Sequence, residues 1–247
     1  MKAFYFDVES EIAHFRDPLS HSFLNSFLSP PSHTIIGFLG CCSGFSENET
    51  ETEINNNILV GCKMLSLKGY LKDLVIMRNY KNNQNIGMPR MRKFLVNPKY
   101  RIYVASEDED KIKKIRYQVN NPIFTPYLGI SDCIAYIRYI SDILDAKSTK
   151  IKEIECNIFF QDKDHTNNNY NNYNDNSIQI EYSTRVKKDN ALVVYPQIVR
   201  SPKSYEITEN GRKPQIYEKV LMSLNCIIKL KKDFNGFVID DEKVSLI

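Results

Sequence analysis

The chain has 247 residues, 42% hydrophobic and 26% charged, with a formal net charge of +3, enough for one large or two modest domains that bury a core without metals or disulfides. Six cysteines at 41, 42, 62, 133, 156 and 226 form no C-x-x-C pair and no recurring spacing, which argues against a zinc site or a disulfide framework and fits a reducing cytosol. No stretch approaches the roughly 18 apolar residues of a membrane span, and Asp7 and Glu9 break the opening apolar run, so the expectation is a cytoplasmic protein with no signal peptide and no membrane partner.

Residues 2 to 8 alternate Phe4, Phe6 and Val8 against Ala3, Tyr5 and Asp7, the period of a strand with one face buried. After Pro30-Pro31, residues 32 to 44 are apolar on nearly every side and predict a buried helix capped by Ser32 or Thr34. Gly37, Gly40 and Gly44 fall on one face of that helix, each costing roughly 1 kcal/mol relative to Ala, so something approaches the face closely. Packing against a sheet answers that requirement, and so does an anion at the helix N-terminus. Glu47 to Glu53 reads as an acidic surface segment, and Ile58 to Leu67 as a strand.

Between Lys63 and Arg101 stand ten Lys or Arg against one acid, Asp73. They are interleaved with Tyr70, Tyr80, Phe94, Tyr100 and Tyr103, the mixture of cations and rings that single-stranded nucleic acid needs; a solvated charged hairpin has the same composition. Two extended arms, Lys68 to Lys81 and Arg90 to Val96, flank the turn-like residues 82 to 89 and predict a protruding hairpin.

Lys99 to Ala105 alternates as a further strand, with Tyr100, Ile102 and Val104 on the core face. A helix follows, with Ser106 as N-cap, Glu109 as its capping-box partner and Asn120-Asn121-Pro122 as the stop. A short helix from Ser131 and a strand at Lys152 to Phe160 complete the order strand, helix, strand, strand, helix, strand. That order is the split βαβ, ferredoxin-like arrangement of an α+β fold. Asn167 to Asn176 is an Asn-rich loop that marks a boundary. The expected division is a domain over 1–160 with its hairpin at about 66–98, a loop over 161–177, and a smaller β-rich unit over 178–247 containing a short helix at Gln215 to Met222.

No P-loop, dinucleotide fingerprint, nucleophile elbow or metal-ligand spacing is present, so no metal and no cofactor is expected. Four blocks carry a resemblance: 13–18 (AHFRDP), 30–40 (PPSHTIIGFLG), 93–104 (KFLVNPKYRIYV) and 126–131 (PYLGIS). In this order they are similar to the Cas five family of CRISPR-associated proteins, nearest its type I-B branch, over most of the first 135 residues. The resemblance implies a subunit of Cascade, the RNA-guided surveillance complex of antiviral defence, on the fold of the repeat-associated (RAMP) superfamily. Such a subunit holds the 5′ handle of the guide RNA (crRNA) and caps the backbone filament, and its hairpin, called the thumb, reaches over the guide next to the first backbone subunit. Its partners are the backbone subunit, the large subunit and, through the complex, target DNA.

On that basis Arg78, Lys81, Arg90, Arg92 and Lys93 are the candidate phosphate contacts, and Ser32, His33 and Thr34 are a candidate anion site at the helix N-terminus with Arg16 nearby. Arg101 and Tyr103 are further RNA-binding candidates. One branch of the family, type I-C, resembles a metal-independent endoribonuclease that cuts repeat RNA, and the fold also suits a generic single-strand RNA-binding protein. His14, His21 and His33 are available as acid or base, yet none sits in a Lys-His pair or beside a Tyr at a matching spacing, so a non-catalytic subunit is expected.

Overall fold

A computed structural model describes residues 1–20, 23–78, 87–161, 179–186, 192–208 and 211–247. The chain is mostly β with a few helices. Alternation makes β1 (Lys2–Glu9) a strand, and an apolar run makes α1 (Ser32–Ser43) a helix. Two strands of the basic region follow β2 (Leu59–Ser66), namely β3 (Gly69–Arg78) and β4 (Gly87–Val96). Then come β5 (Lys99–Ser106), α2 (Glu109–Asn120) and β6 (Tyr136–Ile140). These give a central antiparallel sheet in the order β6-β1-β5-β2, with α1 and α2 as the connections across it.

Phe4, Phe6 and Val8 of β1 and Tyr100, Ile102 and Val104 of β5 point to the helix side and pack with Ile35 and Leu39 of α1 and Ile112, Ile115 and Val119 of α2. The opposite face is covered as well. β7 (Lys147–Ile154), β9 (Ile180–Arg185), β12 (Cys226–Ile239) and β13 (Glu242–Val244) form a second sheet whose Ile151, Ile228, Leu230 and Val244 pack on Ala3, Tyr5, Tyr103 and Ala105. A third sheet joins β8 (Ile158–Gln161), β11 (Gly211–Leu224) and β10 (Val194–Thr208).

Several local expectations change. The last strand of the central sheet is Tyr136–Ile140, not 152–160, because residues 147–161 turn away to pair with β12 and β11. The strand pairs thus cross the boundary expected at 160, and Phe159, Val220, Met222 and Leu224 share one buried cluster with Phe4 and Leu39. Gln215 to Met222 lies within a long strand, and 131–135 is a turn with an isolated bridge from Tyr127 to Ile134. Residues 47–55 are helical, opened by a capping box between Ser46 and Glu49. Asp108 rather than Ser106 caps α2, accepting from the N–H groups of Asp110 and Lys111. The Asn-rich tract lies outside the described residues. Among the described residues no helix is long and apolar enough to cross a membrane.

Gly129 shows how tightly one loop is held. Its φ is +92°, and a Cβ there would run into the carbonyl of His14. His14 in turn donates its N–H to the Leu128 carbonyl (3.3 Å), and its ring Nδ1 bonds the Lys93 carbonyl on β4 (2.8 Å). Gly129→Ala is therefore expected to cost about 2 kcal/mol or more, combining left-handed strain with a backbone clash. A shift of the urea midpoint by circular dichroism measures it; an unchanged midpoint would refute the close approach.

Candidate nucleic-acid interface

The strands β3 and β4 leave the central sheet after β2 and return to it at β5, pairing without a break from Gly69 opposite Val96 to Arg78 opposite Gly87. The base of this hairpin is fixed. Leu95 and Phe94 are buried, Ile12 and Ala13 pair with Val96 and Leu95, and Phe23 and Leu24 run parallel to Met91 and Arg92. Further out the hairpin is open: Leu74 is 61% and Ile76 71% exposed, a level that apolar side chains on a packed strand do not reach.

Register decides which cations share a face. Lys72 stands directly opposite Lys93, and the Lys93 Nζ lies 3.9 Å from the centroid of the Tyr70 ring. Burial first, and Lys72 second, push the Lys93 ammonium below the ordinary lysine value. On the other face Arg90 stands opposite Val75 and Arg92 opposite Asp73, and the Arg92 guanidinium carbon lies 5.8 Å from the Phe94 centroid. Among the described residues no carboxylate forms an ion pair with Lys72, Arg92 or Lys93, and the buried Arg92 Nε has no hydrogen-bond partner. Like charges opposed across a ladder repel, so this face has a standing deficit of negative charge.

The exposed Arg16 belongs with this group. It sits in a short strand, Phe15–Arg16, paired with Ser26–Phe27, and together with Arg92 it lowers the pKa of His14, behind the larger effect of burial. Arg16, Arg90, Arg92 and Lys93 are thus gathered on the hairpin and its base. Arg78 closes β3, but its side chain, like Lys81 entirely, lies outside the described residues, as do His21 and Tyr80.

Three other expectations are corrected. The N-terminus of α1 is not open to an outside anion, because Glu218 of β11 fills it: Ser32 donates its N–H to Oε1 (3.0 Å) and its hydroxyl to Oε2 (2.7 Å). His33, one residue on, faces Tyr205 at 5.3 Å between ring centroids and contacts Thr34 Oγ1 at 3.3 Å. Arg101 is neutralised, donating to both oxygens of Asp7 (2.7 and 2.9 Å) and to Glu242 (3.4 Å). Tyr103 is fully buried, hydrogen-bonds Glu242, and has no ring face left for a base. Among the described residues no three His, Cys, Asp or Glu cluster to hold a metal ion.

The candidate contacts read from the sequence leave out Lys72 and Tyr70, which enter there only as part of the cation-and-ring stretch, and omit Glu218 and Tyr205 altogether. For the first two a signal existed: folding 69–78 back on 87–96 in strict antiparallel register puts Lys72 against Lys93. Glu218 and Tyr205 carried none, since each meets its partner across more than 170 residues.

The buried Glu218 is pushed up from 4.5 to about 7 by desolvation, which outweighs the two Ser32 hydrogen bonds. The folded state thus holds this proton more tightly than the unfolded chain, so stability from it is present below about pH 4.5 and lost as pH rises through about 7. The full span corresponds to roughly 3 kcal/mol. Glu218→Gln is expected to remove this part of the pH dependence, seen as a flatter urea midpoint between pH 5 and 8; equal slopes in both proteins would count against a protonated buried carboxyl.

A family model described as CRISPR-associated protein (Cas_Cas5) matches residues 4–192. No curated protein matches the chain at a significant level. Among solved structures, a CRISPR protein from Archaeoglobus fulgidus superposes with a TM-score of 0.55 at 15% identity, covering 99% of this chain and 98% of that one. A chain of a CRISPR RNA-guided surveillance complex superposes with a TM-score of 0.50 at 8% identity, covering 92% and 90%. At these identities the likeness speaks for the fold, while the family match spans most of the sequence: the chain belongs to the Cas5 family of CRISPR-associated proteins.

Proposed function

We propose that this Cas5-family chain is a non-catalytic subunit of a Cascade surveillance complex, nearest type I-B, in which the β3–β4 hairpin is the thumb that grips the 5′ handle of the guide RNA and caps the backbone filament. The observation that carries this reading is the Lys72–Lys93 pair, opposed across the ladder, without carboxylates among the described residues and backed by the Tyr70 ring. A phosphate between the two ammonium groups relieves their repulsion and releases its counterions, and a constant single-stranded handle offers phosphates and stackable bases. The central sheet order, with α1 and α2 as crossovers, supports the ferredoxin-like plan of the RAMP superfamily. In such a complex base pairing reads the target, and the protein supplies charge and end recognition. The exposed Leu74, Ile76 and Met88 on the same hairpin suit contact with the backbone subunit, with the large subunit docking nearby.

A second reading, metal-independent cleavage of repeat RNA, draws on His33, Tyr205 and Lys203, which line one cleft, with His33 Nε2 3.5 Å from the Tyr205 hydroxyl. It requires a discrete cut in purified repeat RNA without divalent metal, lost in His33→Ala.

Two measurements test the main reading. Reversing Arg90, Arg92 and Lys93 to Glu in a complex co-expressed with its other subunits and a CRISPR array is expected to cut co-purified guide RNA at least tenfold; retained guide would refute the thumb. Lys72→Gln removes the repulsion but not the Tyr70 contact, so thermal stability should hold or rise by up to about 0.5 kcal/mol. The same substitution should weaken RNA binding and shrink its log–log salt slope by about 0.7.

A further inference from the structure

The three glycines of α1 have three different explanations, and one of them points to a ligand. Gly44 takes φ +70° as the left-handed C-cap. Gly40 lies against the Thr50 side chain, which occupies the space a Cβ would need. Gly37 has no such neighbour: a Cβ there would meet nothing within 4 Å. Glycine is the poorest helix former after proline, so a helical glycine that no packing requires is explained by what the missing side chain leaves open. It leaves a cleft of about 560 Å³, with Gly37 in its lining.

The lining has the character of a nucleotide site. Phe124 and Tyr127, 56% and 41% exposed, present rings from one loop, and Tyr205 presents another from β10. Lys203, also on β10, has no ion-pair partner among the described residues and lines the same cleft. His33 adds a ring nitrogen, and Glu47 and Glu51 add two carboxylate acceptors for the donor edge of a base. Flat apolar faces with a polar edge, joined to an anion, match rings, edge acceptors and a lysine together, and the volume lies within the usual range for small-molecule sites.

We propose that this cleft receives a single unstacked nucleotide, base towards Gly37 and phosphate towards Lys203. The site is separate from the hairpin, since none of Lys72, Arg90, Arg92 or Lys93 lines it. It rests on the RNA-handle reading only in naming an RNA strand as one source of the nucleotide. A free nucleotide presents the same chemistry, and the arms of the test tell the sources apart.

The full chain is titrated with each nucleoside 5′-monophosphate by saturation-transfer NMR, with inorganic phosphate as control. In parallel, a short single-stranded RNA carrying 4-thiouridine is photo-cross-linked and the adducts mapped. The expected result is saturable binding of at least one nucleotide, or a cross-link at Phe124 or Tyr127, reduced tenfold or more in Gly37→Phe. Gly37→Ala should raise the melting temperature. Should Gly37→Phe misfold, Phe124→Ala combined with Lys203→Glu, both at the rim, gives the same readout. Nucleotide binding alone identifies a free ligand; cross-linking alone identifies the RNA strand. Absence of both in the native chain, or persistence of both in a folded Gly37→Phe, overturns the proposal. The triple hairpin reversal leaves nucleotide binding intact, so the two proposals fail separately.

Discussion

The bidentate pair between Arg101 of β5 and Asp7 of β1, closed by Glu242 from β13, is the interaction on which the layered structure depends. It stands on the sheet face that the second sheet covers, where an unpaired guanidinium would be costly. Register also places Lys63 of β2 opposite Arg101, two cations facing each other as Lys72 and Lys93 do. Here the repulsion is cancelled: Glu242 and Glu155 take Lys63 at 2.9 and 3.2 Å, and the Arg101 guanidinium also lies 4.3 Å from the Tyr5 centroid. The network joins β1, β5, β2 and the end of the chain, so both strands that flank the hairpin are tied down.

That contrast separates charge the fold has answered from charge it leaves open among the described residues. Each cross-strand cation pair is destabilising by itself. At Lys63 and Arg101 the chain supplies three carboxylates of its own; at Lys72 and Lys93 the described residues supply none. The same logic closes the N-terminus of α1. Its free N–H groups need an acceptor, and the Glu218 carboxyl supplies one from inside the fold, where desolvation raises its pKa. Sites that look equally anionophilic in sequence therefore differ by whether the fold has already answered them.

This is also where legibility in the sequence ended. The period of two in β1 and β5, the apolar run of α1 and the stop of α2 are local signals, and each put an element in the right place; of the turn expected at 82–89, residues 82–86 lie outside the described residues and 87–89 belong to β4. Tyr100 was legible as core by the same alternation. Arg101 and Tyr103 were misassigned because alternation identifies one buried face and leaves the other to solvent, whereas strands inside a three-layer stack are covered on both. The run Tyr103-Val104-Ala105 without a charge was the available hint. The swap of the last central strand, from 152–160 to Tyr136–Ile140, has no local signal, since KEIECNIFF is a good strand wherever it pairs. Of the interface, the density of cations was legible; the faces became so only with the register.

The hairpin's own edge completes the physical picture. β4 is paired on both sides near its base, to β3 on one and to residues 12–13 and 23–24 on the other, whereas among the described residues β3 pairs only with β4 and leaves its other edge unpaired. A ten-residue edge strand carrying exposed Leu71, Leu74 and Ile76 is a template for unwanted pairing. Lys72 sits between those apolar residues, so one ammonium both guards the edge and strains the ladder against Lys93. The balance in the free protein is a hairpin whose outer half stays solvated, mutually repulsive and uncovered on its apolar side chains.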